Sequence, residues 1–335
     1  MTHDTTRRLH AAHSLLPHSW QQTCDEAHAF APVNIALAKY WGKRDEALHL
    51  PVTDSFSLSL ALGTKTYITK GKTSDAFWLN GEEVMPSSLF YKRMHEFLDL
   101  VRPDPLFTFS VHTENKVPTG AGLASSASGF AALSLALNSF FGWLLTLKEL
   151  SLLARLGSGS ACRSIAPGFM LWHKGQMDDG SDSYAEPLPD KWEELSCGIF
   201  YLSSKQKEID SRTAMKLSQE TSPYYPLWPD IVAKNMQDIQ QGIRTKDFPR
   251  FGQAVEQNAL AMHALMQTAT PPFSYYTEHT VSIMKSIWQA RKEGLGIYFT
   301  MDAGPNIKAL FLKKDISKVI SLFPSLSLVD LLHHK

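Results

Sequence analysis

The sequence lacks paired cysteines, long apolar runs and an excess of charge of either sign. Its three cysteines, Cys24, Cys162 and Cys197, are far apart and form no C-x-x-C pair. This spacing argues against a zinc site or a disulfide framework and indicates a reducing cytoplasm. No apolar run approaches the ~18 residues that a membrane helix needs. The formal net charge is zero, so nothing indicates general attraction to nucleic acid or membrane, and an anionic ligand would need a local cluster of cations.

The N-terminus lacks the continuous apolar core of a secretory signal. The first 28 residues contain five histidines, none of which is near an acid or a cysteine at metal-ligand spacing. We therefore interpret residues 1–28 as a polar extension or mobile arm.

The total of 335 residues is enough for two domains, and the polar segment Gly175–Glu194 marks a surface excursion and a candidate domain boundary.

Apolar and polar patterns predict an α+β protein, because strands and helices mix without regular alternation. Helical patterns cover Leu227–Gly242, Phe248–Gln267 and Thr277–Glu293. A hairpin is predicted around Asn80–Gly81. The predicted strands are "APVNIALAKYW", "SFSLSLAL", "TKTYITK", "DAFWLNGEEV", "FTFSV", "GIFYLSS", "GIYFTM", "KALFL" and "LSLVDLL".

The segment "KVPTGAGLASSASGFAAL" is rich in small residues and follows the predicted strand "FTFSV". It predicts a tight loop and then a helix, with Ser125 and Ser126 in the first turn. A helix N-terminus with glycines before it binds phosphate well. The segment is neither a Walker loop nor G-x-G-x-x-G. The alternative is a close-packed helix with Gly129 against another backbone.

The segment "APVNIALAKYWGKR" places Lys39, Lys43 and Arg44 beside Tyr40 and Trp41. On an extended strand, Lys39, Trp41 and Lys43 would share one side. Such a group of cations predicts a clamp for a highly charged anion. The alternative is a solvated strand end with surface lysines.

The segment "GSGSACRSIAPGF" predicts a short helix that Ser158 or Ser160 caps and that Pro167–Gly168 ends. Arg163 would lie in its first turn, where the helix dipole favours anions. An anion between Arg163 and the helix end explains that placement. Pairing of the arginine with a nearby acid is the alternative.

The segment "YFTMDAGPN" places Asp302 directly after an apolar strand and before a turn. Strand ends commonly present catalytic groups, because the scaffold fixes them while the loop stays open. The alternative is an aspartate that hydrogen-bonds its own turn.

Together, in this order, these four segments resemble the GHMP kinase superfamily and, within it, the diphosphomevalonate decarboxylase family. "PTGAGLASSASG" resembles the phosphate motif P-x-x-x-G-L-x-S-S-A, and "APVNIALAKYWGKRD" resembles the more specific decarboxylase signature. "SGSACRS", "DAGPN", "GSDSYA" and "ETSP" are also similar to that branch. The resemblance extends from about Phe30 to Leu312. It departs at Asp54–Ser55, where Ser-Ser is expected, at Pro167–Gly168, where Gly-Gly is expected, and at Gly120, where Ala is usual. Asp54 would add a carboxylate near the substrate.

The resemblance implies a two-domain α+β fold of the GHMP kinase type, with the active cleft between the domains. The expected organisation is an extension at 1–28, an ATP-binding domain at 29–194 and a ferredoxin-like α/β sandwich at 195–335. The implied reaction is the ATP-dependent decarboxylation of mevalonate 5-diphosphate to isopentenyl diphosphate, with ADP, phosphate and CO₂ as the other products. ATP and Mg²⁺ are the expected cofactors, and a cytoplasmic homodimer without nucleic acid or membrane is expected. The alternatives are a phosphomevalonate decarboxylase, a mevalonate kinase-like enzyme or a non-catalytic sensor of the same fold.

The resemblance also implies residue roles. Asp302 would accept or orient the substrate hydroxyl, Arg163 would hold the substrate carboxylate, and Lys43 would stabilise charge on the transferred phosphate. Arg44 is expected in the same cleft, and His263 is expected to pack in the core. The residues expected to bind substrate are Asn34, Tyr40, Lys43, Ser158, Ser160, Arg163, Ser211 and Arg212. Those expected to bind ATP are Pro118, Gly120, Gly122, Leu123, Ala124, Ser125, Ser126, Lys205 and Lys207, with Ser125 and Ser126 also near magnesium.

Overall fold

The computed structural model describes residues 3–116, 125–202 and 209–334. Within these ranges the α-helices are α1 (His3–His13), α2 (Leu89–Leu98), α3 (Ser125–Phe141), α4 (Leu147–Gly157), α5 (Ser211–Thr221), α6 (Trp228–Thr245), α7 (Phe248–Gln267), α8 (Glu278–Lys292) and α9 (Ile316–Leu322). Three short 3₁₀ helices cover Gly159–Ser164, Tyr225–Leu227 and Lys313–Asp315. None of the helices in the described ranges has the length and apolar character needed to cross a membrane.

The strands in the same ranges are β1 (Glu26–Ala38), β2 (Lys43–Asp45), β3 (Leu50–Pro51), β4 (Ser55–Lys70), β5 (Ala76–Leu79), β6 (Glu82–Glu83), β7 (Phe109–Asn115), β8 (Phe169–Trp172), β9 (Ala185–Pro187), β10 (Leu195–Phe200), β11 (Ile297–Met301), β12 (Ile307–Leu312) and β13 (Ser327–Val329). They form a seven-stranded sheet, a four-stranded sheet and the small ladder of β2 with β3. The mixed α+β class predicted from the sequence is confirmed.

The larger sheet is built around β4. Strand β1 pairs with β4 along most of its length, whereas β7 and β8 pair with different halves of β4. The sequence predicted two strands here, but Gly63 does not interrupt the observed strand. A side chain at Gly63 would collide with the ring of Phe30 and the carbonyl of Ala31, so glycine permits their close approach.

The smaller sheet has the order β11–β12–β10–β13, and all its pairs are antiparallel. Helices α7 and α8 pack on β11, and α6 packs on α7. The helices predicted at 227–242, 248–267 and 277–293 match α6, α7 and α8 closely. The hairpin predicted around Asn80–Gly81 is also confirmed, with both residues at positive φ between β5 and β6.

One hydrophobic core joins the two sheets. Val33, Ile35 and Leu37 of β1 are fully buried against side chains of α6 and α7. A second link is polar, because the Thr300 hydroxyl of β11 donates to the Ala36 carbonyl at 3.2 Å. The end of β1 is therefore fixed against both halves of the protein.

The N-terminal segment is not a mobile arm over its described part. Residues 3–13 form α1, which packs on α4 and buries Ala12 completely. Arg7 forms an ion pair with Asp45 at 2.7 Å, and Arg8 donates to the Leu156 carbonyl at 2.9 Å. The sequence prediction missed this helix because its apolar face is narrow and its other positions are polar.

We predict that Ala12→Gln lowers the free energy of unfolding by about 1–3 kcal/mol, because it forces a larger polar side chain into a packed site. The matched control is His10→Gln on the exposed side of the same helix, which should change the free energy of unfolding by less than about 0.5 kcal/mol. Urea unfolding of both variants is the measurement. Equal stability of the two variants would contradict the packing of α1.

Candidate active site

A cleft of about 320 Å³ lies between the two sheets, where β1 ends. The elements that contribute to it are β1 with the β1–β2 connection, the 3₁₀ helix Gly159–Ser164, the starts of α3 and α5, helix α7 and the β11–β12 turn. The cleft therefore draws on both halves of the chain. The predicted site residues that line it are Asn34, Tyr40, Lys43, Ser126, Ser158, Ser160, Arg163, Ser211, Arg212 and Asp302.

Asp302 lies in this cleft between two buried ammonium groups. Its Oδ1 is 2.8 Å from Lys39 Nζ, and its Oδ2 is 2.9 Å from Lys308 Nζ. Burial disfavours the charged carboxylate, but the charges of Lys308 and Lys39 outweigh it and hold the pKa of Asp302 well below its usual range. The side chain remains 27% exposed. Because both of its oxygens contact lysines from outside the turn, the alternative that Asp302 only hydrogen-bonds its own turn is wrong.

Lys39 is not part of an extended strand, contrary to the prediction. Strand β1 ends at Ala38, and the Lys39 N–H donates to Oδ1 of Asn258 in α7 at 2.8 Å. The buried Lys39 ammonium also donates to the Ala36 carbonyl at 2.7 Å. Burial lowers the pKa of Lys39 to about 8, although the charge of Asp302 opposes the shift.

Lys308 was not predicted as a site residue. It belongs to β12, "IKALFL", in which all the remaining residues are apolar. Its side chain is 1% exposed. A lysine is almost never buried without a partner. A lone lysine in a strand six residues after an acid is the signal that points to it.

Arg163 lies near the end of the 3₁₀ helix rather than in the first turn of a capped helix. Its guanidinium donates to Ser55 Oγ and, at 3.4 Å, to Asn34 Oδ1. Among the described residues no carboxylate lies within ion-pair distance of Arg163, and its Nε has no hydrogen-bond partner. Within the described ranges, the alternative of an internal Arg–acid pair is therefore wrong. A buried charge without a counterion favours an anionic ligand.

Neutral polar groups surround Arg163. The Asn34 amide donates to Ser164 Oγ at 2.7 Å and to the Ser160 carbonyl at 3.3 Å, which orients the Asn34 oxygen. Ser158 occupies the N-cap position without a side-chain capping bond. The buried Tyr40 hydroxyl has no partner among the described residues. These groups can accept or donate hydrogen bonds to a ligand.

Lys43 lines the cleft, but Arg44 does not. Lys43 Nζ is 2.5 Å from Oε2 of Glu46, a side chain that is 63% exposed. Arg44 instead donates to the Met177 carbonyl at 2.9 Å on the outer surface. The predicted convergence of Arg44 with the other cations is therefore wrong. Asp54 is likewise absent from the cleft lining, because its carboxylate accepts the Lys174 N–H at 2.7 Å.

Ser211 and Arg212 are the first two residues of α5, a helix that the sequence prediction did not include. Asp210 caps this helix and accepts from the backbone N–H groups of Arg212 and Thr213 at 2.9 and 3.2 Å. The start of α5 thus presents a hydroxyl, a guanidinium and the positive end of a helix dipole to the cleft.

A second cavity of about 300 Å³ meets the cleft at Ser126, which lines both. Gly129 borders this second cavity, and a side-chain carbon there would meet no atom of another described element within 4 Å. Within the described residues, the alternative that Gly129 packs against another backbone is therefore wrong. Helix α3 begins at Ser125, as predicted. Outside the described residues lie Pro118, Gly120, Gly122, Leu123, Ala124, Lys205 and Lys207, together with the side chain of Ser125.

His263 is buried in α7, as expected. Its ring stacks on Tyr276 with centroids 4.7 Å apart, and its Nε2 lies 3.2 Å from the Asp302 carbonyl. Burial lowers the pKa of His263 to about 3, so the ring is neutral and donates to that carbonyl. His263 therefore also fixes the backbone of Asp302.

Two family models match the chain. Residues 31–185 match the diphosphomevalonate decarboxylase-like N-terminal domain, and residues 197–329 match the mevalonate 5-diphosphate decarboxylase C-terminal domain. Diphosphomevalonate decarboxylase of Debaryomyces hansenii is 36% identical over 316 residues, which cover 88% of this chain and 81% of the relative. The human diphosphomevalonate decarboxylase is 36% identical over 314 residues, which cover 87% of this chain and 78% of that protein.

Solved structures of proteins from the same family also match this chain. The mevalonate diphosphate decarboxylase of Staphylococcus aureus matches with a TM-score of 0.87 and 38% identity over 92% of this chain and 96% of that one. The Enterococcus faecalis enzyme matches with a TM-score of 0.85 and 41% identity over 92% and 99% of the two chains. The fold and the interdomain cleft are thus those of a GHMP kinase-like protein. The chain belongs to the diphosphomevalonate decarboxylase family.

We predict that Lys308→Met raises the pKa of Asp302 and lowers the free energy of unfolding at pH 7 by about 1–3 kcal/mol, because a partly buried carboxylate loses one of its two cations. Urea unfolding is the measurement. Combining Lys308→Met with Asp302→Asn should recover part of the loss, since the amide carries no charge. A single variant as stable as the wild type would contradict the account of this cluster.

Proposed function

We propose that the protein catalyses the ATP-dependent decarboxylation of mevalonate 5-diphosphate to isopentenyl diphosphate, with ADP, phosphate and CO₂ as the other products. The observation that carries the proposal is that one cleft contains both Asp302, which two lysines hold, and a buried Arg163. Among the described residues this arginine has no acidic partner. A structure of a similar chain was solved in complex with MVAPP, AMPPCP and magnesium, and it supports the same substrates here.

Arg163 would bind the substrate carboxylate. The planar guanidinium suits a bidentate grip, and Ser55 and Asn34 already fix its orientation. The grip keeps the carboxylate charged and in place until CO₂ leaves. The Tyr40 hydroxyl and the Ser158 and Ser160 hydroxyls line the same region and would bond the neighbouring polar groups of the substrate.

Asp302 would orient the tertiary hydroxyl toward the transferred phosphoryl group. Its lowered pKa makes it a weak base, which favours orientation over early proton removal. Phosphoryl transfer through a loose transition state needs little activation of the nucleophile. The hydroxyl proton can therefore pass to the carboxylate late, when the new P–O bond has lowered the pKa of that oxygen.

The start of α5 would bind the diphosphate of the substrate. Arg212 supplies a cation, Ser211 a hydroxyl, and the helix dipole favours negative charge. This end of the cleft is the part that would distinguish a diphosphate from a monophosphate.

Lys43 would stabilise the phosphate as it departs. The C–O bond to the phosphate breaks, and its electron pair stays on the phosphate. The C–C bond that joins the carboxylate to the rest of the substrate then breaks, and its electrons form the new carbon–carbon double bond as CO₂ leaves. An ammonium near the departing oxygen lowers the energy of the charge that develops there. The exposed Glu46 holds Lys43 in the described structure, and an incoming anion would replace it.

ATP would occupy the cavity that meets the cleft at Ser126, with its terminal phosphate toward the cleft. Thr113 and Asn115 line that cavity with apolar side chains of α2, and Arg93 adds a half-buried cation. The Ser125 and Ser126 hydroxyls would lie near the magnesium that neutralises the ATP phosphates. Among the described residues there is no cluster of three or more His, Cys, Asp or Glu side chains suited to a metal.

The remaining sequence expectations stay predictions. They are the domain limits at 29–194 and 195–335, a homodimer and a cytoplasmic location. The roles of the loop residues 118–124 and of Lys205 and Lys207 are predictions of the same kind.

The test of the proposed function is product analysis with magnesium–ATP and, separately, mevalonate, its monophosphate and its diphosphate. We expect ADP and CO₂ in equal amounts with the diphosphate only. ADP without CO₂ would indicate a kinase, and turnover of the monophosphate would indicate the related decarboxylase. No product with any of the three would contradict enzymatic function and favour a sensor.

We predict that Asp302→Asn lowers kcat by about 10²–10⁴-fold, because the variant cannot accept the hydroxyl proton or hold the hydroxyl through a charged group. Binding of both substrates, measured by calorimetry, should change by less than about tenfold. Wild-type turnover in this variant would remove Asp302 from the mechanism.

We predict that kcat/KM for the diphosphate falls as the pH rises through about 8, the pKa to which burial lowers Lys39. Above this pH Lys39 is neutral, so Asp302 keeps only Lys308 and the cleft loses attraction for a polyanion. The value of kcat/KM reports groups of the free enzyme, which makes it the quantity to measure between pH 6 and 10. A constant value up to pH 9.5 would contradict the role of Lys39.

A further inference from the structure

Both backbone polar groups of Lys43 are held by one side chain from the other half of the protein. The Lys43 N–H donates to Oε1 of Gln219 at 3.0 Å, and Nε2 of Gln219 donates to the Lys43 carbonyl at 2.9 Å. Gln219 belongs to α5. Its amide thus pairs with Lys43 as a neighbouring strand would pair with it.

The ladder of β2 with β3 does not supply these bonds. On the β3 side the Val52 N–H donates to the Gly42 carbonyl at 3.2 Å. Lys43 faces Pro51 in the ladder register, and proline has no N–H to donate. Within the part of the chain that the structure describes, both backbone groups of Lys43 would depend on water without Gln219.

A second contact from the same region fixes the residues just before Lys43. The Tyr225 hydroxyl donates to the Trp41 carbonyl at 3.1 Å. Gly42 has a φ of 127°, and a side chain there would collide with that hydroxyl. The backbone from Trp41 to Lys43 is therefore held by α5 and the short helix that follows it.

The same helix carries two groups assigned above to the substrate diphosphate. Ser211 and Arg212 begin α5, and Gln219 lies eight residues after Ser211, which is about 12 Å along the axis. A helix of this length is stiff. The first residues of the helix line the cleft, while Gln219 in a later turn hydrogen-bonds the Lys43 backbone.

We propose that Gln219 is a positioning residue for decarboxylation. It fixes the Lys43 backbone, and through it the ammonium that meets the departing phosphate, relative to the helix that binds the diphosphate. The inference rests on the proposed function, because it assigns Gln219 to a step of that reaction. Gln219 acts through Lys43 and does not touch the substrate.

The first test is the steady-state kinetics of Gln219→Met, a variant of similar length that cannot form either bond. We expect kcat to fall by about 10–100-fold, since a small displacement of a catalytic group has effects of this size. The KM for ATP should stay within about twofold. Lys216→Met is the matched control, because Lys216 is exposed on the same helix, and its kcat should stay within about twofold of the wild type. An unchanged kcat in Gln219→Met would overturn the inference.

A double-mutant cycle separates positioning from general loss of structure. In a Lys43→Ala background, Gln219→Met should lower kcat by less than about twofold, because the group that Gln219 positions is already absent. The same 10–100-fold loss in both backgrounds would show that Gln219 acts by another route and would overturn the proposal.

Hydrogen exchange tests the contact without any turnover. The Lys43 amide should exchange at least tenfold faster in Gln219→Met than in the wild type, while the amides of β4 keep their rates. Equal exchange at Lys43 would overturn the proposed contact. Absence of CO₂ from the wild-type protein would instead refute the proposed function, so the two failures are distinguishable.

Discussion

The site depends on one buried charge cluster, in which Asp302 lies between the ammonium groups of Lys39 and Lys308. Two cations around one carboxylate leave a net positive charge in a cleft that Arg163 makes more positive. Such a site is costly in an empty protein and becomes favourable when a polyanion enters. The same cluster keeps Asp302 ionised. An ionised carboxylate is suited to accept a hydrogen bond from a substrate hydroxyl and so to orient it.

The fold brings these groups together from distant parts of the chain. Lys39 follows the first strand of the large sheet, whereas Asp302 and Lys308 belong to one hairpin of the small sheet. The shared core between β1 and the helices α6 and α7 fixes the distance between the two sheets. The charge cluster is therefore also a bridge between the two halves, so its geometry depends on their packing.

The sequence predicted the elements whose local pattern is strong, including α7, α8 and the end of β11 before Asp302. It did not predict Lys308 as the partner of Asp302, because pairing across a hairpin is a tertiary property. It placed Lys39 on an extended strand, but β1 ends at Ala38 and the Lys39 ammonium donates back to the Ala36 carbonyl. The helix α5 was missed because its residues are mostly polar, and its stability comes from a cap and from contacts with other elements. Family resemblance supplied the residue roles, which local patterns alone left open.

The most direct test of this account is isotope-edited infrared spectroscopy of the Asp302 carboxylate, taken as the difference between the wild type and Asp302→Asn. The account predicts a carboxylate band that keeps its full intensity from pH 8 down to pH 4, because Lys39 and Lys308 hold the pKa well below its usual range. Conversion of that band to a protonated carboxyl band between pH 4 and 7 would contradict it.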